Sequence, residues 1–343
     1  MAKGLLRVKG MIDVRQFWPQ GSSDADTVKV DVDLNGFQFT PDVKHNKPFQ
    51  VTHVLDNAMV QGAGKKHAVH DGKVTVRLEH VDAPELHYAA PFRGTKDYRQ
   101  YFGETATTKL CDMFASFDHD PVPCQVCTTV DHPNEVFDTY GRMIGQIFAD
   151  PENRNLNINQ WLVQKGWAFP SIYNSASLDE INEILHLAKE AMDARNGVWA
   201  YLASNVEHAE FPLQYRPKGT PHPEADLGPL VMPKLFRRQV QWHVSQMDSK
   251  VPMTFAAYLA TLNDGWVRMT EFLQDLHIKP SRKTHHLSTL VDIEGRFEAG
   301  PQDIVFFEKP STLVDAHGKH ITSWGTKLEK APAKRARRPM VAA

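Results

Sequence analysis

With 343 residues, 41% of them hydrophobic and 23% charged, the chain has the composition of a globular protein of two domains, not of a disordered, collagen-like or coiled-coil one. Lys+Arg at 39 against Asp+Glu at 41 leave a net charge of -2, so a polyanion site must be a local patch. Three cysteines cannot build a disulfide framework, and no apolar run reaches the roughly 20 residues of a transmembrane helix.

The first segment, Met1 to Trp18, interrupts its apolar residues with Arg7, Lys9, Asp13 and Arg15. That pattern is unlike a secretory leader, so the expected location is cytoplasmic, with release by another route left open. From Arg7 to about Asp33 apolar and polar residues alternate, as in Val28, Val30 and Val32, which predicts half-buried strands. A second alternating run covers Val74 to Val81, and a third, Met143 to Phe148, follows the turn-like Asp138-Thr-Tyr-Gly141. Helical spacing predicts helices over Phe102 to Phe117, Asn157 to Lys165 and Leu178 to Arg195. The last opens with the capping box Ser177-Leu-Asp-Glu180, has an expected buried stripe of Leu178, Ile181, Leu185, Ala188 and Met192, and is expected to stop at Gly197. Prolines then crowd residues 203–233, the mark of an extended linker. Beyond it the alternation of Val240, Trp242 and Val244 suggests a strand, Phe255 to Leu262 and Val267 to Leu276 helices, and Ile304 to Ile321 a hairpin. The expected organisation is a first domain over 1–202, a linker over 203–233, a small α+β accessory domain over 234–326 and a basic, disordered tail over 327–343.

Three separated segments share one chemistry: Asp24-Ala-Asp26-Thr27, Arg77 to Glu85 through Asp82-Ala83-Pro84, and Asp138 to Arg142. Carboxylates with a nearby backbone carbonyl suit a hard divalent cation, and a guanidinium fork suits a phosphate. Together they suggest a site for a phosphodiester. In order and spelling these segments resemble the thermonuclease, or staphylococcal nuclease-like, family. Phe102-Gly-Glu-Thr-Ala106, Leu162 to Ala168 and Gly197-Val-Trp199 extend the resemblance over about residues 7–199.

The resemblance implies a five-stranded OB-type β-barrel with three helices, and a calcium-dependent nuclease acting on DNA, with RNA as a second substrate. It implies metal ligands at Asp26, Asp82 and the Ala83 carbonyl, with Ca²⁺ expected and Mg²⁺ the second choice. Arg77 and Arg142 would hold the phosphate and Glu85 would orient or deprotonate the attacking water, giving 3′-phosphate and 5′-hydroxyl ends. Tyr140 and Tyr173 would lie beside the substrate, where aromatic faces suit base stacking. Two departures stand out. Ala25 replaces the usual glycine, which would strain the turn if positive φ were needed, and insertions lie between Val32 and Val74 and over Tyr88 to Gln100.

Basic pairs and clusters at Lys65-Lys66, at Arg93, Lys96 and Arg99, and at Arg237-Arg238 are candidates to extend a nucleic-acid groove, Lys65 and Lys66 being assigned to substrate binding. Cys124 and Cys127, three apart on a strand, point to opposite faces and do not make half a zinc site. His80 shares strand parity with Asp82, and His285-His286 reads as a polar loop. The alternative function is a non-catalytic OB-fold module that binds single-stranded nucleic acid or a peptide. The accessory domain is a candidate for docking a protein partner.

Overall fold

The computed structural model describes residues 4–41, 46–62, 64–91, 97–203, 230–247, 249, 251–276, 284–292, 295–307, 309 and 311–325. Most of the Pro-rich stretch, Arg93, Lys96 and the basic tail lie outside the described residues.

The alternating segments form a closed, mixed barrel of five strands: β1 (Gly4–Ile12), β2 (Thr27–Thr40), then, beyond the hairpin of β3 (Met59–Gly62) and β4 (Gly64–His67), β5 (Lys73–Leu78), β6 (Val122–Val130) and β7 (Met143–Ala149). Around the barrel the order is β1-β6-β7-β5-β2, and β2 closes back on β1; only β7 and β5 run parallel. β2 serves two neighbours because it is long. Its first half, Thr27 to Asp31, pairs with β5, and its second half, Phe37 to Thr40, pairs with β1. Inward positions carry Leu6, Val8, Ile12, Val28, Val30, Val74, Val76, Val126 and Ile147, all buried. Burying each such side chain favours folding by about 1.5–3 kcal/mol. The OB-type architecture implied by the sequence resemblance is therefore the observed one.

Helix α1 (Gly103–Phe114) buries Ala106, Leu110, Met113 and Phe114, and Phe114 stacks on Phe17 at 5.6 Å between ring centres. Helix α2 (Ile158–Gln164) is capped by Asn157, whose side chain accepts from the Gln160 N–H. Strand β8 (Ile172–Tyr173) leads to α3 (Leu178–Asp193), which starts at the expected Ser177–Glu180 capping box. Its buried stripe is Ile181, Ile184, Ala188 and Ala191, rotated from the expected one, for Leu178 and Met192 are exposed. Its stop is Arg195, in the left-handed conformation at φ 52°, and not Gly197. The Asn196 N–H returns to the Ala191 carbonyl there, satisfying an end carbonyl.

The second half departs further from expectation. Val240, Trp242 and Val244 lie on a helix, α4 (Pro233–Met247), because the buried positions Leu235, Phe236, Gln239 and Val240 follow the helical period. α5 (Phe255–Ala260) is as expected, and the second expected helix forms over its middle, as α6 (Met269–Gln274), its first two residues, Val267 and Arg268, ending a strand, β9 (Gly265–Arg268). β10 (Ile304–Phe306) and β11 (Thr312–Val314) are not paired as a hairpin. β10 lies between β8 and β9, and β11 pairs with β3; only the tight turn around Ala316-His-Gly318 closes locally, as a bridge from Val314 to His320.

Residues 230–325 consequently do not stand apart as an accessory domain. The sheet of β8, β10 and β9 is buried on both faces. Val267 and Val305 join the barrel's core, while Trp266, Ile304 and Phe306, of opposite parity, pack with Met232, Leu235, Phe255, Leu259, Leu287 and Leu290. A strand whose alternate residues belong to two cores ties those cores into one structure. Among the described residues no helix is long and apolar enough to cross a membrane.

Candidate active site

A cleft of about 1070 Å³ opens between the end of β5, the Asp138–Arg142 turn, the β3–β4 hairpin and α4. Arg77, Glu85, Tyr140, Arg142, Tyr173 and Arg237 line it, with Lys65 and Lys66 at its edge.

Arg77 is the last but one residue of β5, directly opposite Thr27 of β2, so the barrel register brings Asp26 beside it. One Arg77 Nη1 N–H donates to Asp26 Oδ2 at 2.8 Å and another to the Val81 carbonyl at 2.6 Å, and Nη2 donates to Asp82 Oδ1 at 2.7 Å. Asp26 Oδ2 also accepts the Ala83 N–H at 3.2 Å, and Oδ1 accepts from the Thr27 hydroxyl at 3.0 Å. Ala25 is not among the residues with positive φ, so the anticipated strain at the acidic turn is absent.

The run expected to continue as a strand to Val81 breaks at Glu79-His80. His80 turns with φ 61°, which removes its expected strand parity with Asp82. Asn159 stabilises this break, donating to the Glu79 and Gly145 carbonyls and accepting from the Ile147 N–H. The short strand Val81–Asp82 then pairs with Phe169–Pro170. Glu85 follows, clamped through its backbone by Gln100. The Glu85 N–H donates to Gln100 Oε1 at 3.0 Å, and the Gln100 N–H donates to the Glu85 carbonyl at 2.7 Å. Gln100 Nε2 donates in turn to the Val231 carbonyl. A β-carbon on Gly103 would lie 2.6 Å from the Glu85 carbonyl oxygen, so glycine is needed where α1 meets this loop.

Arg142 is oriented by Asp138. The carboxylate accepts the Tyr140 and Arg142 backbone N–H groups at 2.9 Å each and the Arg142 Nε N–H at 2.8 Å. Gly141, at φ 81°, supplies the left-handed residue that folds this turn. Arg142 Nη1 reaches the Thr27 hydroxyl at 3.4 Å, linking this turn to Asp26. Tyr140 is exposed at the rim, its ring centre 5.6 Å from the Arg142 guanidinium, and Tyr173 is half-buried in the wall. Lys65 and Lys66 sit on β4, exposed, with Lys66 packed close to Gly141. The structure thus gathers Asp26, Arg77, Asp82, Ala83, Glu85 and Arg142 at one centre and places Tyr140, Tyr173, Lys65 and Lys66 around it.

Three further residues stand at this centre: Asp24 and Gln100 had no assigned role in the sequence reading, and Arg237 was expected only to extend a nucleic-acid groove. Asp24 has a buried Oδ1 with no hydrogen-bond partner, and Gln100 is fully buried. Arg237 reaches in from α4, paired with Glu85 Oε1 and 3.5 Å from each Asp82 carboxylate oxygen. Asp24 was visible as part of the acidic turn and Arg237 as half of a basic pair, but the strand reading of 240–244 concealed the helix face that carries Arg237.

The charges at this centre interact strongly. Burial would raise the Asp26 carboxyl, yet the Arg77, Arg142 and Arg237 guanidiniums outweigh it and hold Asp26 below the usual carboxylate range. Burial pushes Asp24 well above that range, with the Asp26 and Glu85 charges adding to the effect. Burial also raises Glu85, although Arg237 pulls it back. Asp24, Asp26, Asp82 and Glu85 offer carboxylate oxygens, the ligand type of Ca²⁺ or Mg²⁺, but Arg77 takes up Asp26 and Asp82, Arg237 takes up Glu85, and the ligand atoms that converge closely enough for an ion among the described residues are those of Glu79, His80 and Glu180. In chemical type, though not as a preformed cage, these donors suit a hard cation.

Residues 75–201 match the family model described as staphylococcal nuclease homologue. Asp26 precedes the matched range, and Arg237 follows it. The chain is 26% identical over 151 residues to an uncharacterized endonuclease of Escherichia coli O157:H7, an alignment covering 44% of this chain and 76% of that protein. It is 27% identical over 154 residues to a probable endonuclease, LCL3, of Schizophyllum commune, covering 42% of this chain and 47% of that protein, so it spans about half the length of that relative. The barrel register, the helices and the family match agree, and the chain carries a staphylococcal nuclease homologue domain.

Proposed function

We propose that the protein is a nuclease that hydrolyses phosphodiester bonds of DNA, with RNA as a second substrate. The observation that carries this reading is the meeting, at one end of the barrel, of Asp26, Asp82 and Glu85 with the Arg77 and Arg142 guanidiniums beside an open cleft. The endonuclease names of the two relatives support it.

Asp26, Asp82 and the Ala83 carbonyl would hold a calcium ion, magnesium being the second choice, and the bound cation would supply Lewis acidity toward a phosphoryl oxygen. Glu85 is the base. Its carboxylate accepts a proton from a water as that oxygen attacks phosphorus in line, the 5′ oxygen departs with the bond's electron pair, and it gains a proton from solvent. The products are a 3′-phosphate and a 5′-hydroxyl. Burial, which raises Glu85, makes it a better proton acceptor than an exposed glutamate. Arg142, held by Asp138, neutralises the charge that grows on the phosphoryl oxygens. Tyr140 and Tyr173 offer faces for bases, while Lys65 and Lys66 offer charge to flanking phosphates.

The test is cleavage of labelled single-stranded DNA, double-stranded DNA and RNA in Ca²⁺, Mg²⁺ and EDTA, with Glu85→Gln and Arg142→Ala alongside. Cutting that needs a divalent cation and falls about 10²- to 10⁴-fold in Glu85→Gln is expected. A wild-type chain that binds but cuts under no condition would reassign the barrel to a binding module.

A further inference from the structure

We propose that Arg237 is a third guanidinium of the catalytic centre, one that contacts the substrate phosphate directly. This inference rests on the nuclease reading above and concerns which arginines serve it.

Arg77 is heavily committed. Both of its terminal nitrogens are engaged by Asp26, Asp82 and the Val81 carbonyl, and only 12% of its side chain is exposed. Such a guanidinium is suited to fixing the two carboxylates in place. Arg142 and Arg237 are more than twice as open, at 29% and 25%, and both face the cleft. Arg237 lies against Glu85 and Asp82, the base and a cation ligand of the proposed reaction, so its fork ends where the scissile phosphate must sit. A planar fork of donors matches two phosphoryl oxygens as well as it matches a carboxylate.

Its position is fixed by its helix. Leu235, Phe236 and Val240 are buried on the inner face of α4. Arg238, the next residue, is tied to Asp264, Gln241 donates to the Tyr88 hydroxyl at 2.6 Å, and the Val231 carbonyl just before the helix accepts from Gln100. α4 is thus anchored on both sides of Arg237, and Arg237 is a built-in part of the wall. Three guanidiniums, Arg77, Arg142 and Arg237, then face the three carboxylates Asp26, Asp82 and Glu85.

The test uses the full chain with a fluorescein-labelled oligothymidylate in EDTA, where binding is read without cutting, over a series of salt concentrations. Thermal unfolding of each variant is followed alongside. Arg237→Gln is expected to weaken binding about tenfold or more and to reduce the slope of log affinity against log salt by about 0.7, the release expected for one lost contact to a single strand. A residue that only braces Glu85 would leave that slope unmoved. Unchanged affinity and slope, or tighter binding, which would make Arg237 a competitor of the substrate, would overturn the inference while leaving the nuclease reading intact. If Arg237→Gln does not fold, Arg237→Lys decides. Affinity lowered by about threefold or more at an unchanged slope supports a bidentate phosphate contact, and wild-type affinity overturns it. A wild-type chain that binds no oligonucleotide overturns both readings.

Discussion

Gln100 is the buried residue through which the Glu85 loop beside the barrel and the segment before α4 are joined, and replacing it tests that connection. Gln100→Leu keeps nearly the same volume but removes both side-chain hydrogen bonds. The Glu85 N–H loses the acceptor now 3.0 Å away, and the Val231 carbonyl loses its donor, both in buried surroundings. Each buried group left unsatisfied costs about 1–3 kcal/mol, so the variant should lose about 2–6 kcal/mol of stability. The Glu85 loop keeps its other tie, from the Gln100 N–H to its own carbonyl, and should shift without collapsing. A displacement near 1 Å of a catalytic group costs about 10² in rate, so kcat should fall while KM changes little. Urea unfolding of the full chain and initial-rate kinetics measure the two effects. Gln100→Glu is the companion variant, since it retains an acceptor for Glu85 and removes only the donor to Val231. Should Gln100→Leu lose less than about 1 kcal/mol and keep its kcat, the claim that this side chain positions Glu85 is wrong.

Arg142→Ala should lower kcat/KM by about 10²- to 10³-fold, and Asp138→Asn should reproduce part of that loss by releasing the guanidinium, as steady-state kinetics would show. Asp26→Asn leaves Arg77 a buried charge short of a partner and should destabilise the fold by about 3–5 kcal/mol, measured by urea unfolding at neutral pH. Because folding lowers the Asp26 pKa, its contribution is present above the unfolded value of about 3.9 and is lost as pH falls through the folded value, so this variant should show a flatter acid limb of Tm against pH. Burial pushes the Lys234 amine down to about 7 from an ordinary 10.5. Between those values the unfolded chain holds more protons than the folded one, so stability should rise with pH across that window, and Lys234→Met should abolish the rise in Tm.

The barrel was legible because its strands are half-buried and alternate cleanly; Leu6, Val8, Val28, Val30, Val74 and Val76 are inside as their parity requires. The candidate site was legible in part, since Asp26, Arg77, Asp82, Glu85 and Arg142 are spelled in short local segments that the barrel register then assembles. What escaped was long-range. β8, β9 and β10 are two to four residues long, too short to show a period, and their pairings join residues distant in sequence, Ile172 with Val305 and Val267 with Val305. In α4, Val240, Trp242 and Val244 imitate a strand, and only the unseen burial of Leu235, Phe236 and Gln239 distinguishes the helix. Gln100 carries no local signature, and Asp24 showed only as part of the acidic turn, without a role. Their importance comes from being buried among charges and backbone groups that lie far away in sequence.

That long-range construction changes how the second half of the chain relates to the chemistry. In β9 and β10, Val267 and Val305 complete the barrel's core, and their neighbours Trp266, Ile304 and Phe306 complete the core under α4. Neither core can loosen without exposing apolar surface of the other, because one pleated layer serves both. The same layer holds β8, so Tyr173 of the cleft wall is set by its pairing with Phe306, and α4, resting on the far core, holds Arg237 at Asp82 and Glu85. Placement of the carboxylates Asp82 and Glu85 is therefore a property of both halves together, and α4 belongs to the candidate site as fully as the barrel strands do.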